Sequence, residues 1–558
     1  ALLLAAAAPA SRAQGYLHAS GIYIHDGSNN PIILRGMGLG GWLVPEGYMI
    51  GTSSFANSAT EFKNKVTQLV GQANSDQFFQ NYRKYYVQRK DIDSLARWGF
   101  NSIRLPMHYN LLTSAPGVYL EPGFATIDSL LAWCEANSLY LILDLHAAPG
   151  GQNTGNISDY QGPPSLWEDA EYQRWTAELW KTLAARYAHR QWIGGYDLLN
   201  ETAFSFPSSN KPLRDLLVRI TDSIRTVDTN HMIFAEGNWY ATDFSSLEPA
   251  WDANMAWSFH KYWNPTDVNS IQSYMNLRGR SNRPLWMGES GENSNQWFAD
   301  VVKLLETYNI GWAWWTLKKI ESTSCPLSAR KAPGYDALLK YWGGSGSQPT
   351  VAFATAALNE QAGLLDANNC ILRPDFLDAL RRQPYTTDRK PYADNVIPGT
   401  IFAVNYDMGK DQWAYHDAEF QSTSQGQAYN NGWVYRNDGV DIEASTDAGG
   451  NGYNVGWTSA AEFMAYTVRV LSTGSYNLRI RAASGASGGT VRMSLDNAFL
   501  TPPISVPSTG GWQSWRTIEC GQYPLTAGVH DLVVSCVTGG YNLGRYEFEL
   551  VPAGVNDR

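Results

Sequence analysis

LYLILDLH, residues 139–146, is an almost unbroken apolar run that ends on Asp144 and His146. A strand that is apolar on both faces belongs to a parallel sheet covered by helices, because a sheet with one wet face would alternate. Just before it, Ile127, Leu130, Leu131 and Cys134 recur at i, i+3, i+4 and i+7. That spacing marks the buried stripe of a helix. The same pairing returns where Leu213, Leu217, Ile220 and Ile224 precede HMIFAEGN (231–238).

Working outward, eight such strands are found: IILRGM (32–37), NSIRLP (101–106), LYLILDLH (139–146), GGYDLLNE (194–201), HMIFAEGN (231–238), MAWSFHKY (255–262), PLWMGES (284–290) and GWAWWTLK (311–318). Alternating with helical stretches, they predict an α/β fold, a (β/α)8 TIM barrel. A doubly wound open sheet is the alternative, but no GxGxxG fingerprint follows the first run. The stretch 384–399 is rich in Pro and charge, and beyond it the texture changes. MAYTVRV (464–470), YNLRIRA (476–482), TVRMSLD (490–496) and HDLVVSCV (530–537) are short strands between Gly, Ser and Asn turns. Without intervening helices they predict an all-β jelly-roll or β-sandwich domain. The expected organisation is a barrel over 14–385, a linker over 386–399 and a β-sandwich over 400–552.

The 558 residues exceed what one core can serve. Charged residues are 17% of the chain, against a usual value of roughly 25%. Aromatic residues are 13%, with 22 Trp and 31 Tyr. Few charges and many amphipathic rings suit a neutral, hydroxyl-rich ligand. The net charge of −10 argues against nucleic acid as a partner. No apolar run is long enough to span a membrane. ALLLAAAAPASRA (1–13) reads as the remnant of a signal peptide, with cleavage after Ala13, so a secreted protein, extracellular or periplasmic, is expected. A monomer is expected. Export permits disulfides. Cys325 with Cys370 and Cys520 with Cys536 are possible pairs, while Cys134 sits in a helix stripe as a core thiol.

Polar residues gather at the C-terminal ends of the apolar runs: Arg104, Asp144, His146, Asn200, Glu201, Glu236, His260, Tyr262 and Glu289. In a barrel these ends share one face, which carries the active site. Glu201 and Glu289 end the fourth and seventh strands, across the mouth from each other. A retaining glycosidase needs two such carboxyl groups about 5–5.5 Å apart, one protonating the leaving oxygen and one attacking the anomeric carbon. Glu236 and Glu292 are rivals with less supportive surroundings. Arg104 is the cation available to hold a nucleophilic carboxylate ionised. Asn200 suits the sugar 2-hydroxyl, His260 and Tyr262 can orient Glu201 and Glu289, Trp315 offers a ring beneath the sugar, and His146 shares the same face. No HExxH or CxxC spacing occurs, so no metal is required. No GxSxG elbow supports a serine hydrolase.

As a set, RGMGLGGWL (35–43), NSIRLP (101–106), DLHAAPGGQN (144–153), LLNE (198–201), HKY (260–262), GES (288–290) and GWAWWT (311–316) resemble glycoside hydrolase family 5 over about residues 20–385. The resemblance implies Glu201 as acid/base, Glu289 as nucleophile, and Arg104, His146, Asn200, His260, Tyr262 and Trp315 as substrate-binding neighbours. GLGGWL and DLHAAPGGQN look most like the β-1,3-glucanase branch. The implied activity is a retaining β-glucanase acting on a β-1,3-, β-1,4- or mixed-linkage glucan. A β-mannanase or glucan transglycosylase on the same barrel, and a non-catalytic glycan-binding protein, are the alternatives.

YRNDGVDIE (435–443), GYNVGWT (452–458), TGGWQSW (509–515), LTAGVH (525–530) and YNLG (541–544) resemble carbohydrate-binding module family 6. That implies Trp457 and Trp512 sandwiching a sugar hydrogen-bonded by Asn542. The family's opening IEAE pattern is IFAV (401–404) here, with Phe402 and Val404 in the carboxylate places, which puts a structural calcium in doubt. No other cofactor is expected.

Overall fold

The computed structural model describes residues 15–552 except Tyr160, so the apolar segment 1–13 lies outside the described residues. The chain divides into two compact units. Among the described residues, the first comprises 15–262, 267–291 and 304–372; the second comprises 263–266, 292–303 and 373–552.

The first unit is a closed parallel barrel. Its strands are β1 (Arg35–Gly38), β2 (Ser102–His108), β3 (Tyr140–Ala147), β4 (Ile193–Asp197), β5 (Met232–Glu236), β6 (Met255–Lys261), β7 (Leu285–Gly291) and β8 (Gly311–Trp315). They pair in sequence order, and β8 closes onto β1 through Trp312–Arg35, Ala313–Gly36 and Trp314–Met37. Every residue of β2, β3, β6 and β7 is buried, as strands covered on both faces must be. Helix Glu121–Asn137 feeds β3. It has Pro122 in its first turn, buries Ile127, Leu130, Leu131 and Cys134, and stops where Ser138 turns left-handed (φ 56°). Burying each of those Leu or Ile side chains contributes about 1.5–3 kcal/mol. Helix Lys211–Arg225 feeds β5 in the same way through Leu213, Leu217, Ile220 and Ile224.

Three strands end two or more residues before their apolar runs do. β4 stops at Asp197, so Asn200 and Glu201 stand beyond the ladder, and Glu201 takes a left-handed backbone (φ 42°). β5 stops at Glu236 and β8 at Trp315. Hydrophobicity continues past these points because the loop residues Leu198, Leu199 and Leu317 are themselves buried.

The second unit is β-rich. One sheet carries Asn395–Ile397, Phe463–Val470, Gly528–Thr538 and Gly488–Leu495; the other carries Gly399–Phe402, Asn542–Leu550, Gly474–Ser484 and Gly511–Leu525. Tyr466, Val468, Met493 and Val534 from the first meet Leu478, Ile480, Tyr546 and Phe548 from the second in one core. Phe402 and Val404 pack in or against this core, and their side chains carry no oxygen. The stretch 386–399 is built into this unit: Asn395–Ile397 pairs in parallel with Asn395↔Val468 register, and Lys390 bridges Met408. Within the same unit, Asn293 exchanges hydrogen bonds with Ser422, its Nδ2 donating to the Ser422 carbonyl (2.8 Å). Asn295 Nδ2 donates to Asp375 (2.9 Å) and Asp438 (3.1 Å), and Asn437 Nδ2 donates to the Asn293 carbonyl (2.7 Å). All these side chains are buried. All five cysteines are free thiols, so neither possible pair is bonded. Burial pushes the Cys134 thiol well up.

Candidate active site

At the C-terminal mouth of the barrel, Arg104 on β2 is wholly buried and organises everything around it. Its Nε donates to Asp197 (2.9 Å), Nη1 to Glu289 (2.9 Å), and Nη2 to Asn200 Oδ1 (2.7 Å) and Glu236 (3.1 Å). Asp144 Oδ2 lies 3.2 Å from Nη2. One guanidinium thus serves four carboxyl groups. Burial first, then Glu236, push Asp197 well above the usual carboxylate range, with Arg104 pulling the other way. Such a cluster is stable only while its pairs stay intact, because a buried charge without a partner is costly.

Glu201 and Glu289 face each other. Their carboxylate oxygens and a ring nitrogen of His260 all lie within 4.8 Å of one another. A pair this close suits the arrangement, about 5–5.5 Å between carboxyl groups, in which one attacks while the other protonates, more than the wider pair of about 6.5–9.5 Å that leaves room for a water. Three groups this close also have the spacing of a cation site, but each is already bonded within the protein. His260 Nδ1 is 2.6 Å from Glu201 Oε1, and Nε2 is 3.2 Å from Glu236. Burial opposes charge on His260, yet Glu236, Glu289 and Glu201 raise its pKa well above the ordinary value. Tyr262 donates its hydroxyl to Glu289 Oε1 (2.8 Å). Burial is the largest influence on Glu289 and raises it above the usual range; His260, Arg104 and His146 pull it down, and Glu201 raises it further.

Glu236 fixes the partner carboxyl. It accepts the Glu201 backbone N–H at 2.6 Å, which helps hold the left-handed turn at that residue. Burial works against its charge, but His260 and Arg104, with the Glu201 N–H, hold it below the usual range. Strain pinned in this way at a non-glycine residue is a mark of functional sites.

The floor is aromatic. The His146 ring stacks on Trp315 at 5.4 Å and 10°. His146 Nδ1 is held by Asp144 (2.8 Å), while its Nε2 and Asn200 Nδ2 are buried with no partner among the described residues. Trp315 Nε1 donates to Tyr48 (2.6 Å). A Cβ added to Gly40 would lie 2.4 Å from two Trp315 ring carbons, so only glycine lets the loop after β1 lie against this ring.

The structure therefore brings Arg104, His146, Asn200, Glu201, His260, Tyr262, Glu289 and Trp315 together. Glu292 belongs instead to the second unit, where its carbonyl accepts Trp263 Nε1 (2.9 Å). Sequence reasoning missed Asp197, which reads as one polar residue inside an apolar strand, and the parts of Gly40 and Tyr48 in seating Trp315. In the second unit, Trp457 and Trp512 expose 49% and 47% of their surface. Asn542 Nδ2 donates to the Trp512 carbonyl (2.9 Å), and a Cβ on Gly456, next to Trp457, would lie 3.2 Å from Asn542 Oδ1. The three form one patch. Glu443, also overlooked, accepts from Asn542 (2.7 Å) and Gln513 (2.7 Å) and fixes the amide's orientation.

Residues 59–320 match the family model for cellulase (glycosyl hydrolase family 5), and residues 434–550 match that for carbohydrate binding module (family 6). A protein of Phanerodontia chrysosporium named beta-xylosidase is 34% identical over 253 residues, 44% of this chain and 52% of its own length. Endoglucanase C of Acetivibrio thermocellus is 26% identical over 300 residues, 42% of this chain and 85% of its own. Probable glucan 1,3-beta-glucosidase A of Aspergillus fumigatus is 27% identical over 215 residues, 38% of this chain and 51% of its own. The match thus spans about half the length of the first and third of these relatives.

Proposed function

We propose, from the premise that residues 59–320 are a glycosyl hydrolase family 5 domain and residues 434–550 a family 6 carbohydrate-binding module, that this protein is a secreted retaining β-glucanase. The observation that supports it most is the approach of Glu201 and Glu289 to within 4.8 Å. Glu289 attacks the anomeric carbon while Glu201 gives its proton to the glycosidic oxygen. The C–O bond breaks, the leaving sugar departs as an alcohol, and a glycosyl ester remains on Glu289. Glu201, now a carboxylate, takes a proton from water as that water attacks the anomeric carbon, and Glu289 is released ionised. Asn200 Nδ2 is available to the sugar 2-hydroxyl, and Trp315 with His146 supports the ring. The two carboxyls supply every proton and electron pair, so no cofactor is invoked.

The substrate is read as a β-glucan, held for longer by Trp457, Trp512 and Asn542 of the module. The relative named beta-xylosidase favours a second substrate class, a xylan or xyloside. A product profile on laminarin, carboxymethyl-cellulose, mixed-linkage β-glucan, pustulan, mannan and xylan tests both. A ladder of oligosaccharides from one glucan, with the β-anomer formed first, is the expected result. Product from xylan alone overturns the glucan reading, and an α-anomer formed first overturns retention.

A further inference from the structure

The leaving sugar must lie on the side of the group that protonates it, so the surface beside Glu201 decides what departs. Two loops flank it. After Glu201, Phe204 and Phe206 are half-exposed and pack around Trp167, at 6.0 Å and 4.9 Å between ring centres. The other loop leaves β5 directly after Glu236, the residue that accepts the Glu201 N–H. There Trp239 (φ 50°, ψ 63°), Tyr240 (φ 59°, ψ 47°) and Ala241 (φ 59°) are three consecutive non-glycine residues in the left-handed region. L residues visit that region singly and at a cost, because Cβ crowds the following carbonyl.

The turn is held against this cost. The Tyr240 N–H donates to the Thr202 carbonyl (3.0 Å). Buried Asn238 accepts from the Trp239 N–H (2.8 Å) and the Phe204 N–H (3.1 Å), and donates to the Phe204 carbonyl (2.8 Å) and Asn210 (2.8 Å). Packing does not repay the strain. Trp239 is 44% exposed and Tyr240 50%, and neither ring stacks on another among the described residues. An over-determined strained turn that shows two large rings to solvent at the mouth of a site points to ligand contact.

We propose that Trp239 and Tyr240, with Phe204, Phe206 and Trp167, form the platform for the pyranose rings of the departing part of the chain. The ligand class is a neutral β-linked oligosaccharide, whose apolar C–H faces stack on aromatic rings. The proposal rests on Glu201 being the acid/base.

The test uses the full chain and compares wild type with Trp239→Gly/Tyr240→Gly. Two probes are used: a 2,4-dinitrophenyl β-glycoside, whose leaving group needs neither a proton nor a sugar site, and reducing-end-labelled oligosaccharides of the polymer the wild type cleaves. The double variant is expected to lose at least about tenfold more kcat/KM on the oligosaccharide than on the aryl glycoside, since each exposed ring offers an aromatic contact surface. Its melting temperature is expected to equal or exceed that of wild type, because glycine takes the left-handed conformation freely. Trp239→Phe/Tyr240→Phe should restore most of the oligosaccharide rate. Equal losses on both probes with a lowered melting temperature would show a structural turn and overturn the platform. An unchanged oligosaccharide rate would overturn it too, leaving the reading of Glu201 standing. A wild type inactive on every glycoside would overturn that reading, and the platform with it.

Discussion

Tyr262→Phe removes a single hydroxyl and leaves the ring. In the wild type that hydroxyl donates to Glu289 Oε1 at 2.8 Å, and no other change is made to the site. A hydrogen bond to a charged group contributes about 1.5–3 kcal/mol. The bond favours ionised Glu289, so its loss favours the protonated form and raises the pKa. At about 1.36 kcal/mol per pKa unit, the rise is about one to two units. Glu289 must be ionised to attack, so activity is present above its pKa and is lost as pH falls through it. Burial already places Glu289 above the usual carboxylate range. The acid limb of the kcat/KM profile should therefore lie above the ordinary Glu value of about 4.3 in wild type and move up by about one to two pH units in the variant. The assay is kcat/KM against pH on an aryl β-glycoside, with the melting temperature as a control for folding. An acid limb that coincides with wild type while the melting temperature is unchanged would refute the view that Tyr262 holds Glu289 ionised.

Glu289→Ala should cut turnover to less than about one part in 10³, with azide restoring activity as the inverted glycosyl azide detected by NMR. Arg104→Met strands four carboxyl groups around a buried gap and should cost about 3–5 kcal/mol of stability, read by denaturant unfolding. Gly40→Ala puts a methyl 2.4 Å from the Trp315 ring and should lower kcat/KM more than it lowers the melting temperature, read by kinetics and calorimetry in parallel. Trp457→Ala with Trp512→Ala should abolish retention on insoluble glucan in a pull-down while turnover of a soluble oligosaccharide persists.

The barrel was legible because each buried parallel strand needs a continuous apolar run, and LYLILDLH and its seven counterparts supply one apiece. The site was largely legible for a related reason: a polar residue at the end of such a run has few structural uses. What stayed hidden depends on pairing across the barrel. Asp197 lies inside the apolar run 194–201, and only closure of the sheet shows it 2.9 Å from Arg104, 93 residues away in sequence. Glu236 looked like a rival to Glu201; its hydrogen bond to the Glu201 N–H shows it to be that residue's support. Where strands end was also hidden, since Leu198 and Leu317 are as buried in loops as they would be in a ladder. The left-handed run at Trp239–Ala241 has no sequence signal, because glycine or asparagine would be expected there.

The chain passes between its two units five times, because segments 263–266 and 292–303 leave the barrel sequence to join the β-rich unit and return. A gene cut at 386–399 would therefore not release two finished pieces. The upstream fragment would carry Asn293 and Asn295 stripped of Ser422, Asn437 and Asp438, with Asp375 still accepting from Asn295. The downstream fragment would lack the strands of chain that fill those same bonds. Module exchange, the usual way of retargeting such enzymes, would here have to graft three stretches of sequence at once, and limited proteolysis in the 386–399 stretch should leave a nicked protein that still migrates as one particle.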